Sequence, residues 1–164
     1  MTIKKKQTIL ITGSSRGIGA EVAKLCKEYG FNIILHGRSK TKELLSLANE
    51  LDSEFIFFDV TKEIEVKKAL MHIPNLNIIV NSAAINISKP FEKLDLSDWE
   101  SIYDSNVFGI VNVVKNALPI LKKNNSISKI INIASIKGTY SAVGRAAYAS
   151  SKAAVINITS SLAK

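Results

Sequence analysis

A doubly wound α/β fold, with a parallel sheet of about five strands and helices on both faces, is what the 164-residue sequence predicts. Three observations carry that expectation. Short apolar runs alternate with longer stretches of helical periodicity from one end to the other, the pattern of repeated βαβ units. Most of the runs are apolar at successive positions rather than at alternate ones, as strands buried on both faces are. A glycine-rich turn, Thr12-Gly13-Ser14-Ser15-Arg16-Gly17-Ile18-Gly19, joins the first run to the first periodic stretch.

In chain order, the first strand is predicted at 7–12 (QTILIT) and the first helix at 17–29. FNIILH (31–36) forms the second strand, followed by a helix at 40–51, and EFIFFD (54–59) the third, followed by a helix at 62–72. LNIIVN (76–81) supplies the fourth strand and precedes the longest helix, 97–123. Ser97 and Glu100 have the spacing of a capping box for that helix, and Pro119 is expected to kink or stop it near its end. SKIINIAS (128–135) is the fifth strand, and 148–164 the last helix. Right-handed crossovers join such strands, and a ligand sits beyond their carboxyl ends. The chain, 1–164, reads as a single domain without linker, repeat or low-complexity tract.

Composition narrows the function classes. Apolar residues make up 46% and charged residues 22%, which fits a globular protein rather than a disordered or disulfide-rich one. Cys26 is the sole cysteine, so no intrachain disulfide forms and a reducing, cytoplasmic setting is expected. QTILIT, after Lys4-Lys5-Lys6, is shorter than a signal-peptide core, and no apolar run approaches the roughly 20 residues that span a bilayer. The net charge of +8 is spread over lysines mixed singly and in pairs with acidic residues. Without a basic block or interleaved aromatics, nucleic acid is not an expected partner; a surface that mildly attracts anions is the better account. His36, His72 and Cys26 lack metal-ligand spacing, so no metal is expected. Cys26, beside Val22, Ala23 and Leu25, reads as a small buried residue, and His36 as a structural residue at a strand end.

The glycine-rich turn carries the first functional signal. Glycines allow a tight turn and a close backbone approach, and the helix N-terminus beyond them offers N–H groups and a positive dipole end to a pyrophosphate. Three glycines alone also describe an ordinary loop. Their spacing, TGxxxGxG, resembles the turn of the short-chain dehydrogenase/reductase family, whose fold is Rossmann-like. That resemblance implies dinucleotide contacts from Gly13, Ser14, Ser15, Arg16, Gly17, Ile18 and Gly19. At the end of the second strand stands His36-Gly37-Arg38-Ser39, with no acid to bind a ribose hydroxyl; Arg38, helped by Arg16, instead suits a 2′-phosphate and argues for NADP(H) over NAD. Asp59-Val60 resembles the family's adenine-binding pair. Asn81-Ser82-Ala83-Ala84 resembles its NNAG or NAAG segment, implying cofactor contacts from Asn81 and Ala83, with Ala84 where glycine is usual.

Tyr148 and Lys152, in YASSK, are four residues apart and therefore share one face of a helix. A free phenol, with a pKa of roughly 10, is a sluggish acid at neutral pH, and a nearby ammonium favours its deprotonation. Such a pair arises often by chance. Its place after Asn106 and Ser135 matches the family's order of Asn, Ser and Tyr-xxx-Lys. The resemblance implies that Tyr148 donates a proton to the substrate oxygen and that Lys152 tunes it and binds the nicotinamide ribose. Ser135 then holds the substrate carbonyl, and Asn106 orders a water leading to Lys152.

Most similar within the family are the β-ketoacyl-ACP (3-oxoacyl-[acyl-carrier-protein]) reductases. That implies NADPH-dependent reduction of a keto group in a 3-oxoacyl thioester or similar small carbonyl, as in fatty acid biosynthesis. An acyl carrier protein is then the implied partner and a homo-oligomer the implied assembly, while RAAYASSKAAV also fits sugar-acid or polyol dehydrogenases. Family members are longer, so the resemblance implies an incomplete domain that lacks the last strands and substrate-covering loop. The fifth strand is then expected as an exposed apolar edge. A catalytically silent NADP-binding fragment or interaction subunit is the competing class.

Overall fold

The computed structural model describes residues 6–124 and 127–164. Strands β1 (Thr8–Thr12), β2 (Asn32–Gly37), β3 (Glu54–Phe57), β4 (Ile78–Asn81) and β5 (Lys129–Asn132) form one sheet in the order β3-β2-β1-β4-β5. Every pairing is parallel. The connecting helices are α1 (Gly17–Glu28), α2 (Lys42–Glu50), α3 (Glu63–Met71), α4 (Leu96–Tyr103) and α5 (Gly109–Leu121), and α6 (Ala146–Leu162) follows β5. The chain builds outward from β1 to β3, crosses back to β4 and continues outward to β5, which is the doubly wound architecture the sequence predicts.

The period-2 alternation of strand side chains divides the core between two faces. Ile9 and Ile11 of β1 meet Ile33, Leu35, Ile78 and Val80 on one side, under Ala20 and Ala23 of α1 and Leu44 and Leu47 of α2. Leu10 points the other way, with Ile34 and Ile79, against Val66 and Leu70 of α3 and Val113 and Ala117 of α5. Each Val, Leu or Ile side chain among these contributes about 1.5–3 kcal/mol when taken out of water. Both faces of the central strands are covered, and this is why their sequences are apolar without alternation. Val155 carries α6 against Ile110 and Val114 of α5 and Ile130 of β5. At the sheet's edges the pattern relaxes: Glu54 and Phe57 of β3 and Ile131 of β5 are exposed.

Several boundaries differ from expectation. Ser135 and Asp59, expected inside strands, lie beyond the last residues of β5 and β3, on the rim where ligands of this sheet bind. The single helix expected at 97–123 is divided into α4, a π turn at Asp104–Phe108, and α5. Pro119 does not stop α5, which continues to Leu121 with the proline ring on its exposed side. The capping box is formed by Asp95 and Asp98, not by Ser97 and Glu100: Asp98 N–H donates to Asp95 Oδ1 at 2.9 Å, and Asp95 N–H to Asp98 Oδ2 at 3.2 Å. A carboxylate is a stronger acceptor than a hydroxyl and complements the helix dipole. Ser97 serves the cap, its hydroxyl donating to Asp95 Oδ1 at 2.7 Å. Cys26 is half-buried rather than buried, and desolvation pushes its thiol pKa up, away from the reactive range. Among the described residues no helix is long and apolar enough to cross a membrane.

Asp95→Ala is expected to lower the urea midpoint of unfolding more than Ser97→Ala does. The opposite ranking in a denaturation series would return the cap to Ser97.

Candidate active site

The turn between β1 and α1 sits where the sheet order reverses. Gly13 has φ +65°, and a Cβ there would lie 2.7 Å from Ala83 Cα, so this turn and the segment leaving β4 touch backbone to backbone. Thr12 reinforces the contact, its Oγ1 accepting from Ser82 N–H at 3.1 Å and Ala83 N–H at 3.2 Å. Gly17 has φ +60° with nothing within 4 Å of where a Cβ would stand, so the outer side of the turn is open. Gly19 closes the inner side against the Gly13 carbonyl. No side chain caps α1, whose N-cap is Arg16. Its first N–H groups therefore keep the positive end of the helix dipole available to an anion. Ser15 is half-buried, and Arg16 and Ile18 are exposed.

His36 is buried at the end of β2, and hydrogen bonds from both its ring and its backbone tie it to its surroundings. Gly13 N–H donates to its Nδ1 at 3.0 Å, and its Nε2–H donates to the Phe58 carbonyl at 3.0 Å. Its backbone N–H donates to Ser14 Oγ at 2.8 Å, while its carbonyl accepts from Ser14 N–H at 2.9 Å. Burial lowers its pKa to about 4, overcoming the Phe58 hydrogen bond and the Asp59 charge that act in the other direction. Arg38 lies exposed two residues further on. Asp59 Oδ1 accepts from Thr61 N–H and Glu65 Oε2 accepts from Asp59 N–H, both at 2.9 Å. Val60 is buried, its carbonyl held by Asn112 Nδ2 at 2.9 Å. Asn81 is also buried, and its Nδ2 donates to Asn132 Oδ1 at 2.8 Å; its own Oδ1 finds no partner. Ala84 is exposed and not left-handed, so a methyl group is tolerated where glycine was expected.

Asn106 is buried in the π turn, with every polar atom of its amide engaged. Oδ1 accepts from Ile85 N–H at 2.8 Å, and Nδ2 donates to the Ile85 carbonyl at 2.9 Å and to Ser151 Oγ at 3.1 Å. Ser151 in turn donates to the Tyr148 carbonyl at 2.7 Å. Lys152, one residue on, is buried, and its Nζ donates to the Ile133 carbonyl at 2.7 Å. Desolvation lowers its pKa. The Lys152 ammonium lies 5.9 Å from the centre of the Tyr148 ring. Ser135 begins a 3-10 turn, its Oγ accepting from Lys137 N–H at 3.1 Å. That turn packs on α6: a Cβ at Gly138 would lie 2.8 Å from the Lys152 carbonyl carbon. Asn106, Tyr148 and Lys152 thus form one connected group with Ser135 beside it. Among the described residues no hydrogen bond joins the Ser135 and Tyr148 hydroxyls.

Sequence reasoning gave no site role to Thr12, Ser151, Glu65 and Asn112, each of which bonds backbone. Thr12 and Ser151 left a signal, the first as the opening residue of TGxxxGxG and the second one helical turn after Tyr148. A separate groove of about 680 Å³ lies at the amino ends of the strands, lined by Thr8, Lys27, Asn32, Asp52 and Glu54. Its charges are mixed, and Lys27 already donates to the Asp52 carbonyl. It contains none of the motif residues, so the candidate site is placed at the carboxyl ends.

Sheet order, turn and the α6 pair together define a doubly wound α/β protein with its polar side chains gathered at the carboxyl ends of the strands. The chain belongs to the short chain dehydrogenase family, which it matches over residues 7–164. A relative from Staphylococcus aureus (strain MRSA252), named as an uncharacterized oxidoreductase, is 35% identical over 100% of this chain and 73% of its own length. Among solved structures, a closed form of serine dehydrogenase complexed with NADP+ is 28% identical with a TM-score of 0.88, over 95% of this chain and 65% of that one. A short chain dehydrogenase/reductase from Burkholderia phymatum in complex with NAD is 25% identical with a TM-score of 0.87, over 96% and 59%. The family is one of oxidoreductases that use a nicotinamide cofactor. These relatives do not support the narrower likeness to β-ketoacyl-ACP reductases.

His36 gives the site a pH signature. Above pH 6.5 the imidazole is neutral in the folded and unfolded chain alike, and it contributes no pH dependence. Between pH 6.5 and about 4 the unfolded chain takes up a proton that the folded one refuses, so stability falls with pH, by about 3 kcal/mol in total. Urea unfolding from pH 7.5 to 4.5 checks this. The excess slope of the native protein over His36→Leu is the expected result, and parallel curves would remove the assignment.

Proposed function

We propose that the chain catalyses NADP(H)-dependent interconversion of a small carbonyl compound and its alcohol. The observation that carries this reading is the connected group of Asn106, Ser151, Tyr148 and Lys152, set on the rim that also bears the glycine-rich turn. The residues present suit a dinucleotide. The open side of Gly17 leaves room for a backbone approach, and the uncapped start of α1 suits a pyrophosphate. Arg16 and Arg38, both exposed, suit a 2′-phosphate. Asp59 and Val60 would border the adenine, and Ala83 and Asn81 the crevice floor.

NADPH, when bound, supplies hydride to the carbonyl carbon. Tyr148 delivers its phenolic proton to the carbonyl oxygen, and the Lys152 ammonium favours the phenolate this leaves. Lys152 has three donors, one of which the Ile133 carbonyl occupies, leaving two for the ribose and a water. Ser135 offers its hydroxyl proton to the carbonyl oxygen while its Oγ still accepts from Lys137 N–H. The Asn106 amide is fully committed, so its part is to hold Ile85 and Ser151 in place.

The serine dehydrogenase likeness favours a small polar hydroxy acid as substrate, with a sugar acid or polyol in the same class. The net charge of +8 is what favours the second reading, a 3-oxoacyl thioester on an acidic carrier. Parallel assays separate them: NADP+ reduction with serine or gluconate, against NADPH oxidation with an acetoacetyl thioester. Turnover with neither, alongside intact NADPH binding, would favour the silent-subunit class.

Tyr148→Phe is expected to cut kcat by about 10²–10⁴-fold with the fold unchanged; retention of full activity would dismiss Tyr148 as the acid. Arg38→Asp is expected to weaken NADP(H) binding by about tenfold relative to NAD(H). Titrating both cofactors checks it, and equal losses would contradict the role given to Arg38.

A further inference from the structure

Three segments assigned above to the adenosine half of the cofactor meet at a single buried side chain. Gly13 and Ser14 in the glycine-rich turn, Gly37-Arg38 at the end of β2 and Phe58-Asp59 after β3 belong to separate crossovers; strand pairing and the Phe58 N–H bond to the Gly37 carbonyl at 3.2 Å join the last two, and His36 joins both to the turn. His36 contacts each one. Its ring accepts from Gly13 N–H and donates to the Phe58 carbonyl, its backbone exchanges two hydrogen bonds with Ser14, and the chain runs from it directly to Arg38. The ring stands at a tilted 4.0 Å from that of Phe58, so packing fixes its plane as well.

We infer that His36 is the positioning residue of the dinucleotide site: a neutral imidazole protonated only on Nε2, whose bare Nδ1 holds the Gly13 amide and sets the turn against the ends of β2 and β3. The inference rests on the dinucleotide reading of the turn. Its chemistry is specific. A proton on Nδ1 would set two N–H donors against each other across 3.0 Å, and the bond that orients the turn would be lost. Asp59 and the Phe58 carbonyl both favour a proton on the ring, and burial opposes it more strongly. The Gly13 amide is spent on His36, so phosphate oxygens are left to the N–H groups further along the turn, which this bond aims.

Two isosteres separate the two ring nitrogens. His36→Asn keeps an acceptor near the position of Nδ1, His36→Gln keeps a donor near that of Nε2, and His36→Leu keeps neither. Dissociation constants for NADPH and for adenosine 2′,5′-bisphosphate, which lacks the nicotinamide half, are measured at pH 7.5 with melting temperatures alongside. His36→Asn is expected to stay within about threefold of the native protein for both ligands, and His36→Gln and His36→Leu to weaken both by about tenfold or more. Equal losses in all three, or native affinity in His36→Gln despite a lowered melting temperature, would overturn the inference and leave His36 a packing residue. Nitrogen-15 spectra of the native protein decide the tautomer independently: Nε2 protonated and Nδ1 bare supports it, and the reverse overturns it. If the native protein bound neither nucleotide, the dinucleotide reading would fail. The His36 clamp would still be decided by the spectra, and by whether Gly13 amide exchange quickens in His36→Gln and not in His36→Asn.

Discussion

One hydroxyl fixes the gap on which the rest of the site depends. Thr12 Oγ1 accepts from two successive amides, those of Ser82 and Ala83, and so binds the end of β1 to the segment that leaves β4. β1 and β4 are the strands at which the sheet order reverses. Their crossovers depart to opposite faces, and a crevice must open between them. The Thr12 contact keeps it narrow at its base, where Gly13 lies so close to Ala83 that no Cβ fits. The segment anchored there continues to Ile85, and Asn106 holds both polar groups of the Ile85 backbone. Asn106 then reaches Ser151, and so α6. The glycine-rich turn and the Tyr148 helix are distant in sequence, yet a short chain of hydrogen bonds relates them.

The same rim gathers most of the polar groups that the fold buries. Elsewhere in the sheet the covered positions are aliphatic, because an unpaired polar group out of water costs about 1–3 kcal/mol. At the carboxyl ends Ser14, His36, Asn106, Ser151 and Lys152 are buried and each is paired. Pairing turns their cost into specificity of position, since each geometry satisfies one arrangement of backbone. Lys152 is the sharpest case. Burial works against its charge, and the Ile133 carbonyl and the Tyr148 ring face offset part of that. A second polar chain, from Asn81 through Asn132 to Thr159, ties β4 and β5 to α6 and ends in the one unpaired buried side-chain atom among the described residues, Asn81 Oδ1.

Fold class was legible because it is written locally: Ile9-Leu10-Ile11 and Ile78-Ile79-Val80 must be apolar on both faces, and their length excludes helices. Motif residues were legible because TGxxxGxG and YASSK are contiguous. What escaped was written across the chain. The π turn arises where Asn106 engages Ile85, and Gly109 meets Val60 so closely that a Cβ there would lie 2.8 Å from Val60 Cγ2. Neither contact has a signature in the periodicity of residues 97–123. Asp95 displaced Ser97 as the cap because Lys89 fixes the partner carboxylate of Asp98, bonding both of its oxygens. His36 is legible as a strand-end residue, but its bond to Gly13 requires knowing that β1 and β2 are neighbours in register.

Charge pairing around the turn bears on which phosphate the site suits. Lys24, on α1, is occupied by Glu21 and Glu50. Arg16 and Arg38 have no such ion pair among the described residues. The carboxylate nearest to competing for Arg16 is Glu43, whose pKa is lowered first by its own backbone N–H, then by Thr41, and only last by Arg16. No ion pair joins Glu43 to Arg16 among the described residues. An anion meeting either arginine would break no ion pair found among the described residues. That availability, and not the count of positive charges on the surface, is what the proposed preference for a phosphorylated ribose rests on.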